Sequence, residues 1–174
     1  TREALTRGHG LTDEYYNGNG SLMRILPLAF TEASPSDIES VSSITHAHAT
    51  SVEACQLYVD IARRLLKGQQ LSEILSDIET SKTYARLQTL AELTEDDIRS
   101  SGYVVDTLEA ALWCLLTSTS YPETVLKAVN LGDDTDTVAA VAGGLAGIIY
   151  GLEGIPDNWL AQLRNKELLE SCLF

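Results

Sequence analysis

The segment Gly132-Asp-Asp-Thr-Asp-Thr137 runs directly into Val138-Ala-Ala-Val-Ala-Gly-Gly-Leu-Ala-Gly147. Three carboxylates and two hydroxyls thus stand together at the start of a helical run, a dense set of hard oxygen donors. Mg²⁺ and Mn²⁺ favour such oxygens in octahedral geometry, whereas zinc favours sulfur and imidazole nitrogen. Asp134 and Asp136 are two apart and Thr137 follows, so a turn entering a helix can aim all three at one centre. The competing reading is capping, because Asp and Thr at a helix start satisfy free amides and the helix dipole. Capping accounts for one or two such residues rather than five in a row. An EF-hand is excluded, since the spacing lacks that loop's Gly at its sixth position and its distal Glu. The Asp-Asp-x-x-Asp spacing of isoprenoid synthases is excluded as well: Asp133-Asp-Thr-Asp136 is one residue too short.

Two further segments carry chemistry. Asn17-Gly-Asn-Gly-Ser-Leu-Met-Arg24 places two glycines beside Asn and Ser just before an apolar helical run. Free amides in such a loop can surround an anion, and a plain turn has the same composition. Arg24 can meet phosphate or pair with a carboxylate. Thr45-His-Ala-His-Ala-Thr50 lies between two helical patterns. His46 and His48 have no third soft ligand nearby, which excludes a zinc site.

The elements that must hold these segments are helical. Val52, Cys55, Tyr58, Ala62 and Leu65 recur at three- and four-residue steps, with Gly68 where a helix would end. Val105, Leu108, Leu112 and Leu115 repeat the pattern, and Ala110 to Leu116 is apolar all round, as a central helix would be. Ser34-Pro35 caps a helix reaching about His46, and Ser120-Tyr-Pro-Glu123 reads as a capping box ahead of Thr124 to Asn130. A more polar helix pair is expected over Leu71 to Ile98, and an enclosed helix over Val138 to Tyr150. No alternation of period two stands out. The reading is a single all-α domain spanning residues 1–174, a compact multi-helix bundle.

Composition agrees and excludes some partners. A chain of 174 residues, 44% hydrophobic and 21% charged, is long enough to bury a core. Its formal charge is −13, from 25 acidic against 12 basic residues, which repels nucleic acid and anionic membranes. Any phosphate must therefore be held by local amides, a cation or a lone basic residue. Cys55, Cys114 and Cys172 are odd in number, lie in apolar helical stretches and have no metal-ligand spacing. They are expected to be buried free thiols in a reducing compartment, which points to the cytoplasm. Thr1 to Gly8 has neither Met nor the apolar core of a signal peptide, so the chain is expected to open inside a longer protein.

Taken together, the motifs resemble the ADP-ribosylglycohydrolase family, the group that includes the dinitrogenase reductase-activating glycohydrolase. The resemblance rests on Asn17-Gly-Asn-Gly-Ser-Leu-Met-Arg24, Ile44-Thr-His-Ala-His48, Gly102-Tyr-Val-Val-Asp-Thr-Leu-Glu-Ala-Ala-Leu-Trp-Cys114 and Ala128-Val-Asn-Leu-Gly-Asp-Asp-Thr-Asp-Thr-Val138, with Gly154-Ile-Pro-Asp-Asn-Trp-Leu160 similar to the family's ending. It implies an all-α fold with two Mg²⁺ or Mn²⁺ ions in a cleft, holding ribose hydroxyls beside the scissile carbon and activating water. It further implies Asp134, Asp136 and Thr137 as metal ligands. Asp133, where many relatives have Gly, is left to the surroundings of the site. Gly18, Asn19, Gly20, Ser21 and Met23 would form the diphosphate loop, with His46 beside it and Tyr103 lining the nucleotide pocket.

One departure limits the reading. The family's other metal ligands, a Thr-Asp-Asp triplet, and an acidic residue near the scissile bond belong to an amino-terminal segment, and residues 1–16 hold no such triplet. The chain therefore reads as the carboxy-terminal portion of a longer hydrolase, partnered by that missing segment. Its catalytic acid or base is expected in that amino-terminal segment, and no catalytic residue is assigned in this chain. The substrate implied is an ADP-ribosylated protein or small ADP-ribosyl compound. The alternative is a non-catalytic ADP-ribose-binding or interaction module with half a metal site.

Overall fold

Helices make up the regular structure of residues 2–172, the part that the computed structural model describes. They are α1 (Arg2–Arg7), α2 (Leu22–Ile25), α3 (Pro35–Ser43), α4 (Ala49–Leu66), α5 (Leu71–Asp77), α6 (Val104–Leu116), α7 (Tyr121–Asn130), α8 (Thr135–Tyr150), α9 (Asp157–Gln162) and α10 (Lys166–Cys172). Among the described residues β-pairing is confined to two isolated bridges, Leu11 with His46 and Gly18 with Tyr103. The all-α expectation is met.

α6 is the axis of the core. Of its residues from Val104 to Leu115, only Asp106 is not fully buried. α4 and α8 pack on it, α7 covers α8, and α2 wedges between α4 and α8. At Gly144 a Cβ would come within 2.7 Å of Leu26 Cδ2 and 2.9 Å of the Tyr58 hydroxyl. Glycine inside a helix costs about 1 kcal/mol against Ala. Here it lets α8 come close enough for Tyr58 to donate its hydroxyl to the Val141 carbonyl at 2.8 Å.

The caps largely follow the sequence. Ser34 accepts from the Asp37 amide, Asp37 returns to the Ser34 amide, and α3 ends at Ser43, short of His46. Gly68 closes α4 with φ +82°. Ser120 accepts from the Glu123 amide, but the Glu123 carboxylate reaches one residue further back, to the Thr119 amide and hydroxyl. The helix consequently starts at Tyr121 with Pro122 in its first turn.

Three expectations are corrected. Leu71 to Ile98 holds one short helix, α5, followed by 3₁₀ turns over Lys82–Glu92 and Glu95–Asp97. The tighter turns seat Tyr84, Leu87 and Leu90 against α6 at three-residue spacing. Cys55 and Cys114 are buried thiols, yet Cys172 lies exposed on α10. Finally, the stretch from Val138 to Tyr150 is not enclosed on all sides, for Ala140 and Ile149 are exposed.

Candidate functional site

The three chemistry-bearing segments meet where the amino-terminal ends of α4, α6 and α8 converge. The glycine loop enters first. Asn17 accepts at its side-chain carbonyl from Ser51 Oγ at the start of α4 (3.0 Å), and its backbone carbonyl accepts from the Val104 amide at the start of α6 (2.9 Å). The Asn19 amide donates to the Gly102 carbonyl at 3.1 Å, which completes the Gly18–Tyr103 bridge.

Asn19 then carries the loop to the acidic cluster. Its side chain, 7% exposed, donates one N–H to Thr107 Oγ1 (2.9 Å) and the other to Asp134 Oδ2 (2.6 Å). Thr107 passes its own hydroxyl proton to the Ser101 carbonyl at 3.0 Å. The 100–103 turn is fixed in turn by Asp106, which accepts from Ser101 Oγ, and by Ser100, whose hydroxyl donates to the Gly132 carbonyl. The Asp134 amide donates to the Ser100 carbonyl at 3.0 Å.

This arrangement bears on the choice between caps and ligands. Asp134 occupies the N-cap position of α8 but makes no side-chain capping bond. Its carboxylate is turned instead to Asn19 and to Thr137 Oγ1, which donates at 3.1 Å. Asp136 stands exposed on the first turn of the same helix, and Thr137 is buried. Asp133 has φ +56° directly after Gly132 at φ +90°. That left-handed backbone suits glycine best and Asp tolerably. Asp133 is thus a turn residue with an exposed side chain.

The oxygen donors Asp134, Asp136 and Thr137 suit a hard divalent cation. They are few: among the described residues no group of three or more His, Cys, Asp or Glu side chains comes together that could hold a metal ion. Water, substrate hydroxyls or residues beyond this cluster would have to complete any octahedron.

The loop's amides divide into two kinds. Those of Gly20 and Ser21 donate to no acceptor among the described residues, whereas the Met23 amide is engaged by the Asn19 carbonyl and the Met23 side chain is half exposed. Ser21 Oγ is fully buried beside the Cys55 thiol and finds no oxygen or nitrogen partner, so only its amide is available to a ligand. Arg24 pairs with no carboxylate among the described residues. Its guanidinium donates to the Gly20 carbonyl (2.6 Å), the Val41 carbonyl (3.1 Å) and Thr45 Oγ1 (2.7 Å), tying the loop to the turn after α3.

His46 completes this side of the site. It is 7% exposed, and its ring lies against the loop: a Cβ at Gly20 would stand 2.9 Å from Cε1, and one at Gly18 3.5 Å from Nε2. Burial, with the positive charges of the amino terminus and the Arg24 guanidinium adding to it, lowers the imidazole pKa to about 4. His48 instead caps α4, accepting from the Thr50 amide at Nδ1. Tyr103, 42% exposed, precedes α6 at the rim. A separate groove of about 1160 Å³ between α3, α4 and residues 77–81 contains none of these side chains.

Thr107, Ser100 and Ser101 escaped the sequence reading. Their signal was available at Thr107, a hydroxyl among the inward-facing apolar residues of α6.

Comparison with known proteins is consistent with this geometry. The family model described as ADP-ribosylglycohydrolase matches residues 1–173. ADP-ribosylarginine hydrolase Tri1 of Pseudomonas putida (strain GB-1) is 40% identical over 155 residues, covering 84% of this chain and 42% of that protein. The Tri1 hydrolase of Serratia proteamaculans (strain 568) is 33% identical over 93% of this chain and 47% of its own length. ADP-ribosyl-[dinitrogen reductase] glycohydrolase of Rhodospirillum rubrum is 32% identical over 86% of this chain and 51% of its own. The chain thus spans about half the length of these curated relatives. A solved structure, that of an ADP-ribosylglycohydrolase-related protein complex, superposes with a TM-score of 0.80 at 32% identity, covering 98% of this chain and 65% of that one.

Proposed function

This chain belongs to the ADP-ribosylglycohydrolase family, and we propose that the protein hydrolyses the glycosidic bond joining ADP-ribose to an acceptor, releasing ADP-ribose. The observation that carries the reading is the junction of the glycine loop with the acidic cluster through Asn19, which sets an amide cradle beside hard oxygen donors. Asp134, Asp136 and Thr137 would hold Mg²⁺ or Mn²⁺. When bound, the cation supplies Lewis-acid polarisation and a template for the ribose hydroxyls. The rest falls to the chain itself. The amides of Gly20 and Ser21 bind the diphosphate, His46 donates to it, and Tyr103 borders the nucleotide at the rim. Three helix amino termini facing the loop favour the anion in a chain that is acidic overall.

For the acceptor we favour arginine, because two of the relatives most similar in sequence carry ADP-ribosylarginine hydrolase as their name. Release of free ADP-ribose from arginine-linked and serine-linked substrates tests this directly. Turnover on arginine is the expected result, and turnover on serine alone would overturn the acceptor assignment. The short list of protein ligands around Asp134 also suits a second reading, a binding module without catalysis. ADP-ribose binding with no release from either substrate would favour that reading.

A further inference from the structure

Three groups in contact define the state of the His46 ring. Arg24 donates to Thr45 Oγ1 at 2.7 Å, and Thr45 Oγ1 lies 2.8 Å from His46 Nδ1. A guanidinium is always a donor, so Thr45 Oγ1 accepts from it. Thr45 is 6% exposed, and its hydroxyl proton has no acceptor among the described residues other than Nδ1. A buried hydroxyl that left this proton unused would forgo a bond at a cost of about 1–3 kcal/mol. The satisfied direction is therefore Arg24 to Thr45 to Nδ1. An imidazole that accepts at Nδ1 carries its proton on Nε2.

We propose that Arg24 and Thr45 are positioning residues that hold His46 as the neutral Nε2–H tautomer, a fixed ring donor for an anionic oxygen bound at the glycine loop. Nε2 is the ring atom nearest Gly18 and Cε1 the one nearest Gly20, so the ring edge away from Thr45 faces the loop, and the ring's hydrogen bond among the described residues is the one at Nδ1. A neutral ring is also what the surroundings select. The charged groups that act on it are cations, the amino terminus and the Arg24 guanidinium of α2, and the ring's contacts include the loop's glycines and the Thr45 hydroxyl. A protonated ring would set two cations side by side in a buried place. The donor therefore keeps its strength across the neutral range, unlike a surface histidine. The role toward an anion rests on the proposed function; the tautomer does not.

Nitrogen-15 correlation spectra of the histidine side chains in the intact protein, without ligand, read the tautomer directly. The expected spectrum shows His46 with an unprotonated Nδ1 and a protonated Nε2, unchanged from pH 8 to pH 5.5. Thr45→Val removes the holder: a mixed tautomer and about tenfold weaker ADP-ribose binding are expected, both restored in Thr45→Ser. An Nδ1–H ring in the wild type, or titration near pH 6.5, overturns the inference and leaves the functional reading standing. The expected tautomer with ADP-ribose affinity unchanged in Thr45→Val overturns the role toward the anion. Should Thr45→Val not fold, the wild-type and Thr45→Ser spectra decide the question.

Discussion

The Asn19 side-chain amide and the Asp134 carboxylate, 115 residues apart in sequence, meet at 2.6 Å. Bonds to an ionised acceptor are stronger than neutral ones, and this one fastens the glycine loop to the first turn of α8. The second N–H of the same amide is taken by Thr107 on the buried axis helix. Loop, axis and acidic cluster therefore share one side chain, so a displacement of any one moves the others.

Thr107→Val removes an acceptor from a buried amide while keeping nearly the same volume. The Asn19 N–H is then left without its partner, at a cost of about 1–3 kcal/mol. Denaturant unfolding is expected to show that loss, and Thr107→Ser is expected to recover most of it. Equal stability of Thr107→Val and wild type would show that the amide has no structural need of the hydroxyl.

Gly20→Ala places a methyl group 2.9 Å from His46 Cε1. Real Cβ atoms do not come so close, so the ring or the loop must shift. ADP-ribose affinity, measured by calorimetry, is expected to fall at least about tenfold, equivalent to 1.4 kcal/mol, with the helical circular dichroism unchanged. Unaltered affinity would reduce the loop to a turn.

Stability should also register His46. Its folded pKa, about 4, lies below the ordinary value of 6.5. Between those two values the unfolded chain binds a proton that the folded one does not, so stability falls as pH drops from about 6.5 towards about 4. The raised pKa of Glu109, which burial causes, acts in the opposite direction. Comparison with His46→Gln isolates the histidine: the wild type is expected to lose more stability than the variant across this window. Parallel curves would mean that the ring is protonated in the fold.

How much of this could be read beforehand follows from range. Local rules reached α3, α4, α6 and α7, because capping serines, Gly68 and the three- and four-residue apolar spacing act within a few residues. They failed over Lys82–Glu92, where Tyr84, Leu87 and Leu90 keep helical spacing but at the tighter 3₁₀ step, imposed by packing on α6. They failed again at Cys172, whose apolar neighbours Leu168 and Leu169 are themselves exposed. In the candidate site, residue type marked Asp134 as able to do chemistry, and the family resemblance pointed to Asn19 and His46. That Asn19 would bridge Asp134 to Thr107, or that Arg24 would reach His46 through Thr45, depends on how α2, α3, α6 and α8 pack. No spacing rule reports that.

The most direct test of the account is ADP-ribose release from an arginine-linked substrate by the intact protein, before and after chelation of divalent cations, in wild type and in Asp134→Ala and Asp136→Ala. Wild-type turnover is expected to vanish on chelation and return with Mg²⁺ or Mn²⁺. Each Ala variant should lose about a thousandfold or more, in line with the several kcal/mol a bound cation contributes to the transition state, while keeping its helical spectrum. Turnover that survives chelation, or that either variant retains at near wild-type level with Mg²⁺ present, would contradict the account.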